Sequence, residues 1–171
     1  VFFATQKNIE DNIGRKDVFA VGTVGRIVSV FKLPDGSSKI DVEGLVRARI
    51  TDFVSQEPFF KVKAQPFNLI LRNNLEEKAF LRRAIEQFRT ISESRTFPTI
   101  LPEIIYMMLQ LKDTEQILSL MTINLNLGIE DQQRILELES VVDALRAMNI
   151  FLVRETEIME AEKTVTKETK K

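Results

Sequence analysis

The sequence predicts an α+β protein with a β-rich first part and a helical second part, and three observations support this. Side chains alternate between apolar and polar over residues 40–50, which is the period of a strand. After Arg72, apolar side chains recur at spacings of three and four, which is the period of a helix. Five of the six glycines lie in the first 44 residues, where turns and strands explain them.

The alternating segment predicts a strand with one face toward a core. The predicted core face carries Ile40, Val42, Gly44, Val46, Ala48 and Ile50. The predicted solvent face carries Asp41, Glu43, Leu45, Arg47 and Arg49. The preceding Leu33-Pro34-Asp35-Gly36 predicts a hairpin turn, because Pro suits the first turn position and Asp-Gly tolerates positive φ. Residues 24–31 are then the partner strand.

Three further short segments are predicted to be strands, namely residues 1–4, 59–64 and 67–71. Pro58 and Pro66 place the last two toward a sheet edge, since proline cannot donate a ladder hydrogen bond. The polar residues 7–17 are predicted to form a loop exposed to solvent.

Capping residues mark the predicted helices of the second part. Asn74 is predicted to cap the first helix, and Pro102 suits the first turn of the second. Asp113 or Thr114 is predicted to cap the third helix, and Gly128 is predicted to end it. Residues 92–98 are interpreted as a connector.

One long helix is predicted over residues 130–162. Asn149 and Thr156 interrupt its heptad seam, which consists of Ile135, Leu138, Val142, Leu145, Leu152 and Met159. Residues 163–171 form a polar tail that we expect to fray, or to stay helical only with outside support. The predicted divisions are a β domain over 1–71, a helical bundle over 72–162 and the tail.

Composition excludes several kinds of chemistry. The chain of 171 residues has no His and no Cys, which removes the usual zinc and haem sites, disulfides and thiol or His catalysis. Its 24 basic and 25 acidic side chains lack the basic excess that phosphate-backbone binding needs, so nucleic acid is not expected as a partner. No apolar run predicts a membrane span and no signal segment is evident, so a cytoplasmic location is expected.

The search for catalytic and ligand-binding motifs yields no catalytic, cofactor-binding or metal-binding residue. The chain has no phosphate-binding loop and no G-x-S-x-G elbow. Asp41 and Glu43 could act as paired carboxylates, but Arg47 and Arg49 on the same predicted face favour a solvated charge ladder. Hairpin serines beside lysines, such as Ser29, are likewise ordinary surface residues rather than an activated nucleophile.

Large apolar side chains near two turns are candidates for contact with a peptide. Phe31, Leu33 and Pro34 lie at the predicted hairpin tip, and Phe59 and Phe60 follow a loop. The alternative is that they close the bottom of the β core. The methionines of the helical part favour adaptable core packing over a binding surface.

Several segments, taken together, are specific in order and spacing. They are residues 3–7 (FATQK), 21–24 (VGTV), 33–36 (LPDG) and 39–50 (KIDVEGLVRARI), followed more loosely by 102–103, 135–137, 141–146 and 155–158. In this order they resemble the amino-terminal domain of the Lon family of ATP-dependent proteases. The resemblance covers most of the chain.

The resemblance implies a PUA-like β domain, here without its first strands, joined to a helical bundle that leads to an AAA+ ATPase and a Ser-Lys protease domain. It implies recognition of unfolded, damaged or degron-bearing proteins in protein quality control, and assembly as a homohexamer. ATP and Mg are implied for the whole serine protease. The family's nucleophile, base lysine and ATP-binding residues have no matching positions, so this chain alone is expected to be a non-catalytic fragment.

Two alternatives to this function remain open at the level of sequence. The first is a free-standing PUA-like module that binds a peptide, a small ligand or RNA, although the charge balance argues against RNA. The second is a hydrolase that uses Asp41 and Glu43, which would require both carboxylates to line a pocket.

Overall fold

The chain forms two compact units, Val1–Asn68 and Leu69–Lys171, in a computed structural model that describes residues 1–7, 13–72, 74–93 and 100–168. Within the described residues, the first unit is a four-stranded antiparallel sheet with the strands in sequence order. The strands are β1 (Phe2–Phe3), β2 (Val21–Lys32), β3 (Ser38–Ser55) and β4 (Lys61–Phe67). An antiparallel sheet followed by helices confirms the predicted α+β class.

The hairpin between β2 and β3 forms where the sequence predicts it. Gly36 has a φ of 86°, a conformation that a glycine adopts without strain. Its N–H donates to the Leu33 carbonyl at 3.1 Å, and the Asp35 carboxylate accepts the Ser37 N–H at 2.9 Å. Local turn chemistry therefore sets the register of the two longest strands.

The prediction that residues 40–50 turn one face to a core is wrong for the outer half of β3. Ile40 and Val42 are both more than two-fifths exposed, whereas Arg47 and Ala48 are both buried despite their predicted opposite faces. The reason is the extent of the neighbouring strands. In the described residues, β1 pairs only with positions 23–24 of β2, and β4 only with positions 47–55 of β3.

Two other predictions in this region need correction. Residues 67–71 do not form a separate strand, because β4 already ends at Phe67 and only Ile70 makes an isolated bridge, to Ser140. The predicted loop over residues 7–17 includes a 3₁₀ turn at Arg15–Asp17, and its residues 8–12 lie outside the described part. Pro66 lies in β4, the edge strand, as predicted.

The second unit contains five helices within the described residues. They are α1 (Leu75–Ser92), α2 (Pro102–Gln110), α3 (Thr114–Asn124), α4 (Ile129–Glu137) and α5 (Val141–Glu168). None of the helices in these residues is both long and apolar enough to cross a membrane. The predicted connector at residues 92–98 falls mostly on residues 94–99, which are not described.

Three of the predicted helix starts are confirmed. The Asn74 side chain accepts the Glu77 N–H at 2.9 Å, which satisfies one free donor at the start of α1. Pro102 is the first residue of α2. Asp113, rather than Thr114, caps α3.

Gly128 does not end the third helix as predicted. Helix α3 already ends at Asn124, and Gly128 has a φ of −63° and precedes α4. Its backbone is therefore not in the left-handed conformation that a glycine at a helix end would provide.

The single long helix predicted over residues 130–162 is two helices. The chain is extended at Leu138, and the next residues pair with Ile70, whose N–H donates to the Glu139 carbonyl at 2.7 Å. The Ile70 carbonyl in turn accepts the Val141 N–H at 3.2 Å. This pairing with a residue distant in sequence replaces the helical hydrogen bonds. Helix α5 then continues to Glu168, beyond the predicted end at 162.

The core of the helical unit is built largely on α5. The seam residues Ile135, Val142, Leu145, Leu152 and Met159 are buried, as the heptad predicts, and Leu138 is partly buried. Asn149 is the polar residue that interrupts the apolar seam. Its side-chain amide donates to the Phe80 carbonyl of α1 at 3.0 Å and to the Leu145 carbonyl at 2.8 Å, so the buried amide N–H groups have partners. Four of the five methionines are buried, which supports the core interpretation.

Glu155 on α5 is buried, and we expect its charge to make stability depend on pH. Burial raises the pKa of Glu155 above its usual 4.5, with Glu162 and Asp131 adding to the effect and Arg154 opposing it. A raised folded-state pKa gives stability that is fully present below pH 4.5 and lost as pH rises through the folded pKa.

Glu155→Gln should therefore raise the melting temperature at pH 7, and its advantage should disappear as the pH falls below 4.5. Melting curves followed by circular dichroism across this pH range test the prediction. Glu157→Gln, an exposed position on the same helix, is the control. A Glu155→Gln variant that is less stable than the unmodified chain at pH 7 would contradict it.

Candidate substrate-contact surface

The outer halves of β2 and β3 form a two-stranded ribbon, which we call the outer ribbon and define as residues 26–32 and 38–43. Ile27 pairs with Val42 and Val30 with Ile40, while a register shift between Ile27 and Ser29 leaves Val28 without a partner in the pairing. Paired residues share a face of the sheet, and Ile40 and Val42 are two residues apart on β3, so they lie on the same face. The extra residue at the bulge places Ile27 and Val30 on that face as well. All four are between 41% and 57% exposed.

The opposite face of the outer ribbon is charged. Arg26 forms a salt bridge with Glu43, and the Ser29 hydroxyl donates to Asp41. Both carboxylates are exposed and have partners on the neighbouring strand. This favours the charge-ladder interpretation of Asp41 and Glu43, with partners on β2 instead of the arginines further along β3.

The predicted contact residues at the hairpin tip are exposed. Phe31 is 53% and Leu33 43% exposed, and Pro34 is exposed in the turn. Phe31 pairs with Lys39, so it lies on the charged face and not among the aliphatic side chains. The tip residues therefore do not close a core within the described residues, and they extend the apolar surface around the end of the ribbon.

Phe59 and Phe60 lie in the loop before β4, near the opposite end of β3 from the hairpin tip. Phe59 is 62% exposed, and the Lys61 ammonium lies 5.6 Å from the centre of its ring. Phe60 is half-buried and packs edge-on against Phe53, with ring centres 5.9 Å apart. The structure thus separates the predicted residues into two groups and does not bring them into one site.

Sequence reasoning did not identify the aliphatic face of the outer ribbon as an exposed apolar surface. The alternation over residues 40–50 reveals these side chains, but alternation alone predicts that they face a core. Within the described residues, no acidic cluster could hold a metal ion. The exposed aliphatic side chains suit this surface to apolar contact.

The fold is that of an amino-terminal protease domain of known structure. The N-terminal domain of the Mycobacterium avium complex Lon protease superimposes with a TM-score of 0.68 over 89% of this chain and 77% of that chain, at 18% identity. The family model for the ATP-dependent protease La (LON) substrate-binding domain matches residues 1–154. The chain therefore belongs to the Lon substrate-binding domain family, which confirms the resemblance drawn from the sequence.

Full-length relatives agree with this assignment. The Lon protease of Trichlorobacter lovleyi is 36% identical over 93% of the chain, and that of Desulforamulus reducens is 30% identical over 96%. The Lon protease of Escherichia coli is 30% identical over 94% of the chain. The chain spans about a fifth of the length of these relatives.

Proposed function

We propose that this chain is the region of a longer Lon-type AAA+ serine protease that captures unfolded, damaged or degron-bearing proteins and positions them for the ATPase. We further propose that it supports assembly of the homohexamer in the cytoplasm. The observation that carries the capture role is the aliphatic face of the outer ribbon, which is exposed next to an exposed tip. The family match supports the wider role.

The outer ribbon suits substrates that have lost their fold. An unfolded chain exposes aliphatic segments that a native protein buries, and covering apolar surface is favourable by about 25 cal/mol per Å² whatever the sequence. Four half-exposed aliphatic side chains, of about 1 kcal/mol each on binding, give weak and permissive capture. Weak capture allows a substrate to be passed on, which a positioning role requires.

The free edges of the outer ribbon add a second mode of contact. Beyond Gly25 on β2 and before Arg47 on β3, no further strand pairs with either edge in the described residues. Such edges can accept an extended peptide through backbone hydrogen bonds. Backbone pairing is largely independent of sequence, so it fits the recognition of diverse unfolded segments.

Helix α5 is proposed as the link to the rest of the protease. It is the longest helix of the unit and its first half is held by the buried seam against α1. ATP and Mg belong in this proposal to the whole protease.

Replacing Phe31 and Leu33 with serine should weaken binding of an unfolded model protein by about tenfold, because two exposed apolar anchors are removed. Fluorescence anisotropy of a labelled, permanently unfolded protein provides the measurement, with melting curves recorded alongside. We expect the melting temperature to stay nearly unchanged, since both side chains are exposed.

The matched control is Leu75→Ser, which removes an 85% exposed leucine from the first position of α1. It should leave binding unchanged. A double variant that melts much earlier but binds as before would assign Phe31 and Leu33 to the core and contradict the capture role of the tip. The pair Val30→Thr and Ile40→Thr tests the aliphatic face in the same assay, because threonine keeps the β-branched side chain and the strand preference but adds a polar hydroxyl. It should weaken binding.

A further inference from the structure

A cleft of about 360 Å³ opens in the β unit beside residues 50–53 of β3. Two cationic side chains, Lys7 and Arg15, line it together with an apolar wall of Val18, Ile50 and Phe53. The combination of two positive charges and an apolar wall in one open cleft differs from the outer ribbon, where the four aliphatic side chains lie on the face opposite the charged pairs.

Backbone pairing between distant segments brings the two cations to this cleft. The Lys7 N–H donates to the Asp17 carbonyl at 2.7 Å, and the Phe19 N–H donates to the Thr5 carbonyl at 2.9 Å. Arg15 begins the 3₁₀ turn, in which the Asp17 carboxylate accepts the Gly14 N–H at 2.7 Å. Residues 5–7 and 14–19 therefore form a local framework that holds both side chains at the same rim.

Neither cation forms an ion pair in the described residues. The Lys7 ammonium lies 5.7 Å from the centre of the Phe19 ring, and the Arg15 guanidinium lies 5.5 Å from that of Phe53. A cation over a ring is attracted to the ring face but keeps N–H groups free to donate.

Two carboxylates of the described residues, one on the cleft wall and one beside Arg15, already have partners. Asp52, on the cleft wall, forms an ion pair with Lys63 at 3.6 Å, and Asp17 accepts the backbone N–H described above. In the described residues, Lys7 and Arg15 thus have no carboxylate partner and can both donate to an anionic group of a ligand. The two cations would bind an anionic group of a ligand, and the apolar wall would bind an apolar group of the same ligand.

We propose that this cleft binds a peptide carboxylate that neighbours an apolar side chain, with the carboxylate between Lys7 and Arg15 and the apolar side chain on the wall. The inference rests on the proposed function, because it names a feature of the captured polypeptide. The wall residue Phe53 packs on Phe60, which follows the exposed Phe59, so the apolar surface continues toward a predicted contact region.

Two sources could supply the carboxylate, namely the end of a polypeptide chain or an Asp or Glu side chain. Binding of three labelled, unstructured peptides to the whole chain separates them by fluorescence anisotropy. The first ends in Leu-Leu with a free carboxylate, the second is the same peptide as its amide, and the third is an amide with Asp beside the leucines. We expect the free acid to bind about tenfold more tightly than the amide.

The double variant Lys7→Gln with Arg15→Gln should reduce binding of the free acid to the level of the amide. Lys16→Gln, which removes a neighbouring exposed cation outside the cleft, should leave the preference intact. If the Asp peptide binds like the free acid, any carboxylate is recognised; if it binds like the plain amide, the chain end is recognised.

Equal binding of acid and amide by the unmodified chain would overturn the inference without any variant. A tenfold preference that survives in a folded double variant would overturn it as well. In both cases an unfolded protein would still bind if the proposed function holds. If no unfolded protein and no peptide binds the unmodified chain, the proposed function itself fails.

Discussion

Replacing Phe88 with alanine is expected to lower the free energy of unfolding of the helical unit by about 3–5 kcal/mol. Phe88 lies on α1, is fully buried, and is among the largest side chains of the core. Truncation removes the transfer free energy of the ring and leaves a cavity, because the close-packed neighbours on α1 and α5 relax only partly.

Urea denaturation followed by far-ultraviolet circular dichroism at 222 nm, a wavelength dominated by helix, measures the change. Leu75→Ala on the same helix is the matched control, because its side chain is 85% exposed and should cost no more than about 0.5 kcal/mol. A loss below about 1 kcal/mol for Phe88→Ala would mean that α1 does not pack as described.

Gly22→Ala is expected to destabilise the sheet by about 3 kcal/mol. A Cβ atom at Gly22 would overlap the backbone carbonyl oxygen of Phe3 on β1 and lie 2.9 Å from the Phe2 ring. A backbone atom cannot move aside as a flexible side chain can, so β1 would have to separate from β2. We expect faster hydrogen exchange at the amides of β1 and β2, measured by mass spectrometry.

Gly44→Ala is the control for this prediction, since it is the same substitution in the adjacent strand. The nearest atom to a Cβ there is the Thr23 methyl carbon at 3.4 Å, which is an ordinary contact. Alanine at such a position should be neutral or stabilise by about 0.4–1 kcal/mol through the unfolded state. Equal exchange rates in the two variants would show that β1 is not held against Gly22.

Features set by residues close in sequence could be predicted. The Asp35-Gly36 turn, the Asn74 cap and the Pro102 helix start all form where the sequence places them. Each depends on contacts within about four residues, so the local chemistry is decided before tertiary packing.

Features set by distant pairing could not be predicted. The break between α4 and α5 follows from hydrogen bonds to Ile70, about seventy residues earlier. The one local signal that the sequence reading missed is Ser140, whose hydroxyl accepts the Asp143 N–H at 3.4 Å at the start of α5. Residue type alone predicts that Gly128 ends a helix, but α3 stops at Asn124 and the backbone at Gly128 has no positive φ. Helical periodicity continues through both positions, so it carries no signal of either boundary.

The candidate site shows the same limit. Phe31 and Leu33 were identified as candidates from their position at a turn, but whether they face a core or solvent depends on how far β1 and β4 extend. The cleft lined by Lys7 and Arg15 depends on backbone hydrogen bonds from Lys7 to Asp17 and from Phe19 to Thr5. The sequence shows residues 7–17 only as a polar stretch.

The sequence by itself determined the α+β class, the hairpin, three helix starts, the lack of His and Cys chemistry, and the family. These follow from periodicity, turn residues and composition, which act locally or are independent of the fold. Only the tertiary structure decided which apolar side chains stay exposed, that Glu139 and Val141 pair with Ile70, and that two cations meet an apolar wall. The physical reason is that burial and charge pairing depend on which segments lie next to each other, and no local pattern contains that information.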